Sequence, residues 1–265
     1  MLNKRLAVLG HPVAHSRSPA MQNAALEDLG LSGEWHYEAI DVPVEEIDEF
    51  IAGMAGEGFA GANVTVPHKH AALAAADRAT PAAREIGAAN TLTFGPEGIV
   101  ADNTDAPGLL DALGESPSGR KALLLGAGGA ARAVLWALNG AGARTSVWNR
   151  TESRAAELVR DLGGELDRSP DASEFDLIVN ASAAGLGGED GIADLPIDPD
   201  LLRSGQTVVD MVYGDRPSSL LLAATEAGAV TVDGLEILVR QGALSLRSWT
   251  GREPSLDVMR RAARG

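Results

Sequence analysis

The sequence contains no cysteine. That excludes a disulfide framework, a thiolate zinc site, an iron–sulfur cluster and a cysteine nucleophile. Aromatic residues make up only 4%, and there are three lysines, Lys4, Lys69 and Lys121, against 19 arginines. Positive charge is in deficit: the 265 residues carry a formal charge of −15. Such a chain has no general attraction for nucleic acid or anionic lipid, and too few aromatics for a base-stacking platform. No nucleic-acid partner and no membrane are expected, and an anionic ligand must be held by local arginines, helix N-termini or hydroxyls. No uncharged apolar run reaches the ~18–20 residues of a membrane span. Leu6–Leu9, after Met1-Leu2-Asn3-Lys4-Arg5, is too short for the core of a secretion signal. A cytoplasmic location follows as the expectation. The five histidines show no ligand spacing, so no metal is expected.

With 45% hydrophobic residues the chain has ample material for a core. Strand-length apolar runs alternate with helical patterns from the start. Arg5–Gly10, Trp35–Asp41 and Gly58–Val66 read as strands; Ser18–Gly30, Pro43–Met54 and Pro67–Ala76 read as helices between or after them. Ser18 is expected to cap the first helix and Pro19 to sit in its first turn. Two short strands follow at Asn90–Phe94 and Ile99–Ala101. A second series begins after a loop at 114–119: Lys121–Gly126, Arg144–Trp148, Asp176–Asn180, Thr207–Met211 and Ala229–Val232 as strands, with helices at Gly128–Asn139, Thr151–Leu162, Leu235–Trp249 and Ser255–Ala263. Such alternation predicts an α/β fold of mostly parallel sheets covered by helices, in two lobes with a cleft between them.

Gly126-Ala127-Gly128-Gly129-Ala130-Ala131 joins a strand to a helix and matches G-x-G-x-x-G/A, the dinucleotide-binding pattern. Gly126 suits the tight turn, Gly128 the approach of a pyrophosphate, and Ala131 the packing of helix on strand. The next strand ends in Asn149-Arg150-Thr151, with Arg154 one turn on. NAD-binding units usually place a carboxylate there; arginines suit the 2′-phosphate of NADP instead. Solvated helix arginines near Glu152 and Glu157 are the alternative.

The first lobe has its own polar clusters. Ser16 and Ser18 precede and open a helix, where hydroxyls and free N–H groups suit a carboxylate; a plain cap and turn are the alternative. Lys69 follows the strand that ends in Asn63-Val64-Thr65, at the position where ligands bind in parallel sheets. A lysine beside a cleft can carry a proton, whereas an exposed helix lysine does nothing. Asp105, closing Asn103-Thr104-Asp105, pairs with it as a candidate for alcohol oxidation, or else forms an Asx turn.

These segments together resemble the shikimate dehydrogenase family. The shared patterns are G-x-P-x-x-H-S-x-S-P at Gly10–Pro19, N-V-T-x-P-x-K at Asn63–Lys69, A-x-N-T-L at Ala88–Leu92 and N-T-D at Asn103–Asp105. They continue with G-A-G-G-A-x-R-A at Gly126–Ala133, N-R-T at Asn149–Thr151, D-M-V-Y at Asp210–Tyr213 and G-L-x-x-L-V-x-Q-G-A-x-S at Gly234–Ser245. Eight patterns in one order span nearly the whole chain.

The resemblance implies reversible, NADP-dependent reduction of 3-dehydroshikimate to shikimate, a step toward aromatic amino acids. It implies a substrate domain at 1–105 plus 234–265, a Rossmann-type NADP domain at 106–233, and C-terminal helices packed back on the first lobe. Lys69 and Asp105 would be the catalytic pair. Ser16 and Ser18, with Tyr213, would hold the substrate carboxylate; Thr65, Asn90, Asp105 and Gln241 would take the ring hydroxyls. Gly126, Ala127, Gly128, Gly129 and Ala130 would cradle the pyrophosphate, and Asn149, Arg150, Thr151 and Arg154 the adenosine ribose and its 2′-phosphate. Backbone at Met211 and Gly234 would place the nicotinamide. The chain departs from the family at Gln22-Asn23, where His is frequent first, at 214–219, and at Ser182, where Thr is frequent. Quinate/shikimate or aminoshikimate-type dehydrogenases and a non-catalytic NADP-binding paralogue are the rival readings. Ser16, Ser18, Arg150 and Arg154 favour shikimate and NADP over quinate and NAD. The expected assembly is a monomer or homodimer.

Overall fold

The computed structural model describes residues 4–186 and 191–265; Met1–Asn3, the head of the short N-terminal run, lie outside it. The chain divides into two compact units, 1–108 with 238–265, and 109–237.

The first unit contains β1 (Lys4–Gly10), α1 (Ser18–Asp28), β2 (Trp35–Asp41), α2 (Ile47–Met54), β3 (Phe59–Val64), α3 (Lys69–Ala74), β4 (Arg78–Ala79), α4 (Pro81–Ile86), β5 (Thr91–Gly95) and β6 (Gly98–Asp102). The strand order is β2-β1-β3-β5-β6-β4. β1 lies between β2 and β3, and Leu6, Ala7, Val8 and Leu9 are all buried, which is why it reads as an unbroken apolar run rather than an alternating one. β2, β1 and β3 are parallel, whereas β5 runs antiparallel to β3 and β6. Leu9, Ile51, Met54, Val64 and Leu92 lie in the core of this unit.

α5 (Asp105–Leu113) leads out of the first unit, and the chain returns in α9 (Gly234–Thr250). The expected domain limits at 105 and 234 stand at the N-terminal ends of these two helices; the compact units divide about one turn later. α10 (Leu256–Arg264) packs on α1. Gly108 permits a close crossing: a Cβ there would stand 2.9 Å from the backbone N of Gln241.

The second unit is built from β7 (Lys121–Leu125), α6 (Gly129–Gly140), β8 (Arg144–Trp148), α7 (Glu152–Leu162), β9 (Glu165–Leu166), β10 (Leu177–Asn180), β11 (Thr207–Asp210), α8 (Ser219–Glu226) and β12 (Val230–Val232). Its strand order is β12-β11-β10-β7-β8-β9, with every pair parallel. Side chains alternate across β7. Ala122 and Leu124 join one core layer with Val134, Leu138 and Val147; Leu123 and Leu125 join the other with Ile178, Val208 and Leu220. β7 pairs with β8 on one side and β10 on the other, so the strand order reverses at its carboxyl end. That switch point is where ligands bind in open α/β sheets.

The structure differs from the sequence reading at several element ends. α1 takes Arg17 as its N-cap residue; Ser18 is the first helical residue, and the Ser16 hydroxyl accepts from its N–H at 3.3 Å. Residues 43–46 form turns, so α2 starts only at Ile47. α4, α5 and α8 appear where no helix is expected. α4 carries the signals of one: Thr80 accepts from the Ala83 N–H, Pro81 opens it and Gly87, at φ 75°, closes it.

Candidate active site

The carboxyl ends of β3 and β6, the starts of β5, α3 and α5, and the middle of α9 hold a buried polar cluster in the first unit. Lys69 and Asp105 are 8% and 6% exposed, and Lys69 Nζ donates to Asp105 Oδ2 at 2.5 Å. Asp105 Oδ1 accepts from Asn90 Nδ2 at 2.9 Å. Asn90 Nδ2 also lies 3.1 Å from Gln241 Oε1, and Asn90 Oδ1 accepts from the Thr104 N–H at 2.7 Å. Four expected site residues, Lys69, Asp105, Asn90 and Gln241, are thus one group. The amide of Gln241 arrives 136 positions after Asp105 because Gly108 lets α9 lie against α5. Both oxygens of Asp105 already accept, so its carboxylate is held as an acceptor, and the remaining N–H bonds of Lys69 are the donors of the pair.

A supporting layer surrounds this group. Tyr37 OH donates to Asn63 Oδ1 at 2.8 Å, and Asn63 Nδ2 donates to Ser245 Oγ at 2.9 Å. Ser245 Oγ also meets Thr91 Oγ1 at 2.9 Å and Thr104 Oγ1 at 3.1 Å. Sequence reasoning missed Tyr37 and gave Thr104 and Ser245 no role. Ser245 was within reach: it stands four residues after Gln241, on the same face of one helix. Asn63 was a further signal, a polar side chain inside a strand that is otherwise apolar.

Ser16 and Ser18 sit together at the start of α1, Ser18 buried and Ser16 half-buried. The loop before them is tied down by His11 and Asp41, whose Nδ1 and Oδ1 lie 2.6 Å apart; Asp41 Oδ2 also accepts from the Val13 N–H at 3.1 Å. The His11 ring holds the Asp41 carboxyl below its ordinary range, against the smaller opposing effect of burial. Thr65 is half-buried and lies over Gly10, at the neighbouring ends of β3 and β1.

In the second unit the loop Gly126–Ala130 runs from the carboxyl end of β7 into α6. Gly126 has φ 118°, a left-handed conformation that side chains disfavour. Gly128 is the N-cap of α6, and a Cβ there would meet nothing within 4 Å. The space above Gly128 and the free N–H groups of the first helical turn fit a pyrophosphate. At the end of β8, Asn149 Nδ2 donates to Thr151 O at 2.9 Å, closing the turn. Glu152 pairs with Arg168 and Glu157 with Arg160. Neither takes Arg150 or Arg154, whose guanidinium groups form no ion pair among the described residues. Both arginines are exposed, a placement shared by a phosphate clamp and by solvated helix arginines.

Met211 and Gly234 come together: a Cβ on Gly234 would collide with the Met211 carbonyl. The loop they border is anchored by Asp210, 2% exposed, whose carboxylate accepts from Ser218 Oγ at 2.6 Å, Asn180 Nδ2 at 2.9 Å and the Val212 N–H at 3.0 Å. Burial pushes this carboxyl above its ordinary pKa, and the three donors oppose the shift. Tyr213 is half-buried in the same loop. The Asp210 anchor was not anticipated, because its donors come from the following loop and from the neighbouring strand β10. No group of three or more potential metal ligands occurs among the described residues, and no described helix is long and apolar enough to cross a membrane.

Three family models match the chain: the shikimate dehydrogenase substrate binding domain over residues 8–92, shikimate/quinate 5-dehydrogenase over 110–185, and the shikimate 5′-dehydrogenase C-terminal domain over 234–264. The chain is 45% identical to the NADP(+) shikimate dehydrogenase of Anaeromyxobacter sp. strain K, covering 96% of this chain and 93% of that one. It is 46% identical to an enzyme of the same name from Thermus thermophilus, covering 98% and 97%. The crystal structure of a shikimate 5-dehydrogenase from Thermus thermophilus in complex with NADP(H) and shikimate superposes with a TM-score of 0.90, at 43% identity and 98% coverage of both chains.

Proposed function

This chain belongs to the shikimate dehydrogenase family, and we propose on that premise how its own residues carry out NADP-dependent interconversion of 3-dehydroshikimate and shikimate. The observation that carries the reading is the buried Lys69–Asp105 pair with Asn90 and Gln241 beside it. The first unit acts as the substrate domain and the second as the cofactor domain.

NADPH, when bound, supplies the hydride. Lys69 donates a proton from Nζ to the substrate oxygen as the carbonyl becomes an alcohol, and takes it back in the reverse direction. Asp105 accepts from Nζ and holds it in place. Asn90, Gln241 and Thr65 present amide and hydroxyl groups to the ring hydroxyls, while Ser16, Ser18 and Tyr213 take the carboxylate. A polar ring needs such a lining rather than an aromatic one. Met211 and Gly234 position the nicotinamide through backbone groups, and Gly126–Ala130 receive the pyrophosphate on the start of α6. Asn149, Arg150, Thr151 and Arg154 take the adenosine ribose and its 2′-phosphate. The protein works in the cytoplasm, as a monomer or homodimer.

Initial rates with shikimate or quinate, each with NADP or NAD, test the reading. Activity mainly with shikimate and NADP is the expected result; comparable quinate or NAD turnover would overturn the specificity assigned here. Replacing Arg150 and Arg154 together by alanine should raise KM for NADP by roughly ten- to a hundredfold and leave KM for NAD nearly unchanged, because the two charge-assisted contacts, made at exposed positions and screened by water, together contribute about 1.4–2.7 kcal/mol.

A further inference from the structure

The clamp proposed for the 2′-phosphate lies on one strand end, yet the sheet brings a second strand end beside it. β8 and β9 are parallel neighbours, Ser146 opposite Glu165 and Val147 opposite Leu166. The segments that follow them, Asn149–Arg150 and Asp167–Arg168, therefore leave the sheet in the same direction. They line a common cavity of about 130 Å³ with Trp148 and Glu152. Within it Arg168 Nη2 lies 2.8 Å from Glu152 Oε1. Asp167 also lines the cavity, but its carboxylate accepts from the Ser169 N–H at 3.0 Å and closes that turn. Two arginines are thus matched by two carboxylates, and the cavity is close to neutral.

We propose that Arg168 is a third cationic contact for the cofactor's 2′-phosphate and that Glu152 masks it until the phosphate arrives. The proposal rests on the reading that Arg150 and Arg154 clamp that phosphate. The Glu152 and Arg168 side chains are 55% and 67% exposed. An ion pair so wet contributes little and is readily exchanged. A phosphate bearing about −1.5 to −2 charges at neutral pH is the stronger partner for a guanidinium and repels the Glu152 carboxylate. Arg168 then changes partner, and Glu152 turns to solvent. A cofactor without the phosphate offers nothing to draw Arg168 away. The exchange therefore discriminates NADP from NAD, and Glu152 lowers affinity for both the phosphate and its mimics.

Equilibrium dissociation constants for NADP+ and NAD+, measured by calorimetry on the intact protein, test this. Arg168→Ala should weaken NADP+ binding roughly five- to tenfold and leave NAD+ unchanged. Glu152→Gln should tighten NADP+ binding about two- to fivefold, again without effect on NAD+. The loss caused by Arg168→Ala should be larger in the Glu152→Gln background than in the native chain, since the freed arginine has more to lose. Equal weakening of NADP+ and NAD+ by Arg168→Ala would mean that Arg168 only supports the β9 turn, and would overturn the proposal. An unchanged NADP+ constant in Arg168→Ala, alongside a weakened one in the Arg150→Ala, Arg154→Ala variant, overturns it while the clamp stands. Unchanged constants in both variants overturn the clamp and the proposal together.

Discussion

Lys69→Ala is expected to lower turnover by about 10²–10⁴, the usual loss when a positioned acid–base group is removed. Lys69 Nζ is 2.5 Å from Asp105 Oδ2 in a nearly dry site, and its remaining N–H bonds are the pair's free donors. No other lysine belongs to this cluster: Lys4 stands at the N-terminal end of β1, and Lys121 at that of β7 in the second unit. The variant also strands a buried carboxylate, which costs about 3–5 kcal/mol when a buried pair loses one member. Thermal unfolding must therefore be followed beside the kinetics, and Lys69→Arg, which keeps the charge but not the compact ammonium, separates the two effects. The arginine variant should restore most of the stability and little of the rate. NADP affinity should stay near native, because the glycine loop and the arginines belong to residues 109–237. A parallel loss of cofactor affinity, or a variant with more than a tenth of native turnover, would remove Lys69 from the chemistry.

A single methyl group on Gly126 should be nearly as damaging, by a different route. Its φ of 118° is strained for any side chain, and a Cβ would stand 2.8 Å from Ala181 O and 2.9 Å from Ser182 N, both backbone. Relief requires moving either the β7–α6 turn or the segment after β10. Gly126→Ala is expected to destabilise the protein by about 1–3 kcal/mol and to weaken NADP binding at least tenfold by shifting the N–H groups of the turn. Gly128→Ala provides the contrast. Its φ is −89° and its Cβ would enter open space, so stability should remain native while NADP binding suffers. Calorimetric unfolding and cofactor titration of the two variants check this. Equal stability of both would refute the steric account.

Much of the cofactor unit was legible because its signals are local. The apolar run Ala122–Leu125, the glycines that follow and the helix they open lie within one short stretch, and each residue acts on its neighbours. Lys69 and Asp105 were legible as chemical types, but their pairing depends on two helix starts meeting in space. Gln241 was reached through family resemblance and not through any local pattern. Tyr37 escaped notice, and Thr104 and Ser245 were named only as members of family patterns and given no role, because single polar residues in ordinary elements look like surface residues until burial is known. Arg168 escaped for a related reason. Its partner Glu152 is sixteen positions earlier, and only the pairing of β8 with β9 brings them together. Helices α4 and α8 went unread because they are short, though Thr80 and Ser218 each cap one in the ordinary way.

The return of the chain through α9 has a consequence for the order in which the protein can be made. The cofactor unit is one uninterrupted stretch and is complete once the ribosome has released residue 237. The first unit is not. Until α9 and α10 emerge, Asn63, Thr91 and Thr104 lack Ser245, Asn90 lacks Gln241, and the face of α1 that α10 covers is open to water. Polar groups that are satisfied in the finished protein are thus left hydrated in the nascent one, which favours delay over premature collapse. The half of the molecule that begins first is the half that finishes last, and its acid–base pair acquires its full set of neighbours only when the last tenth of the chain has closed a loop of more than a hundred residues.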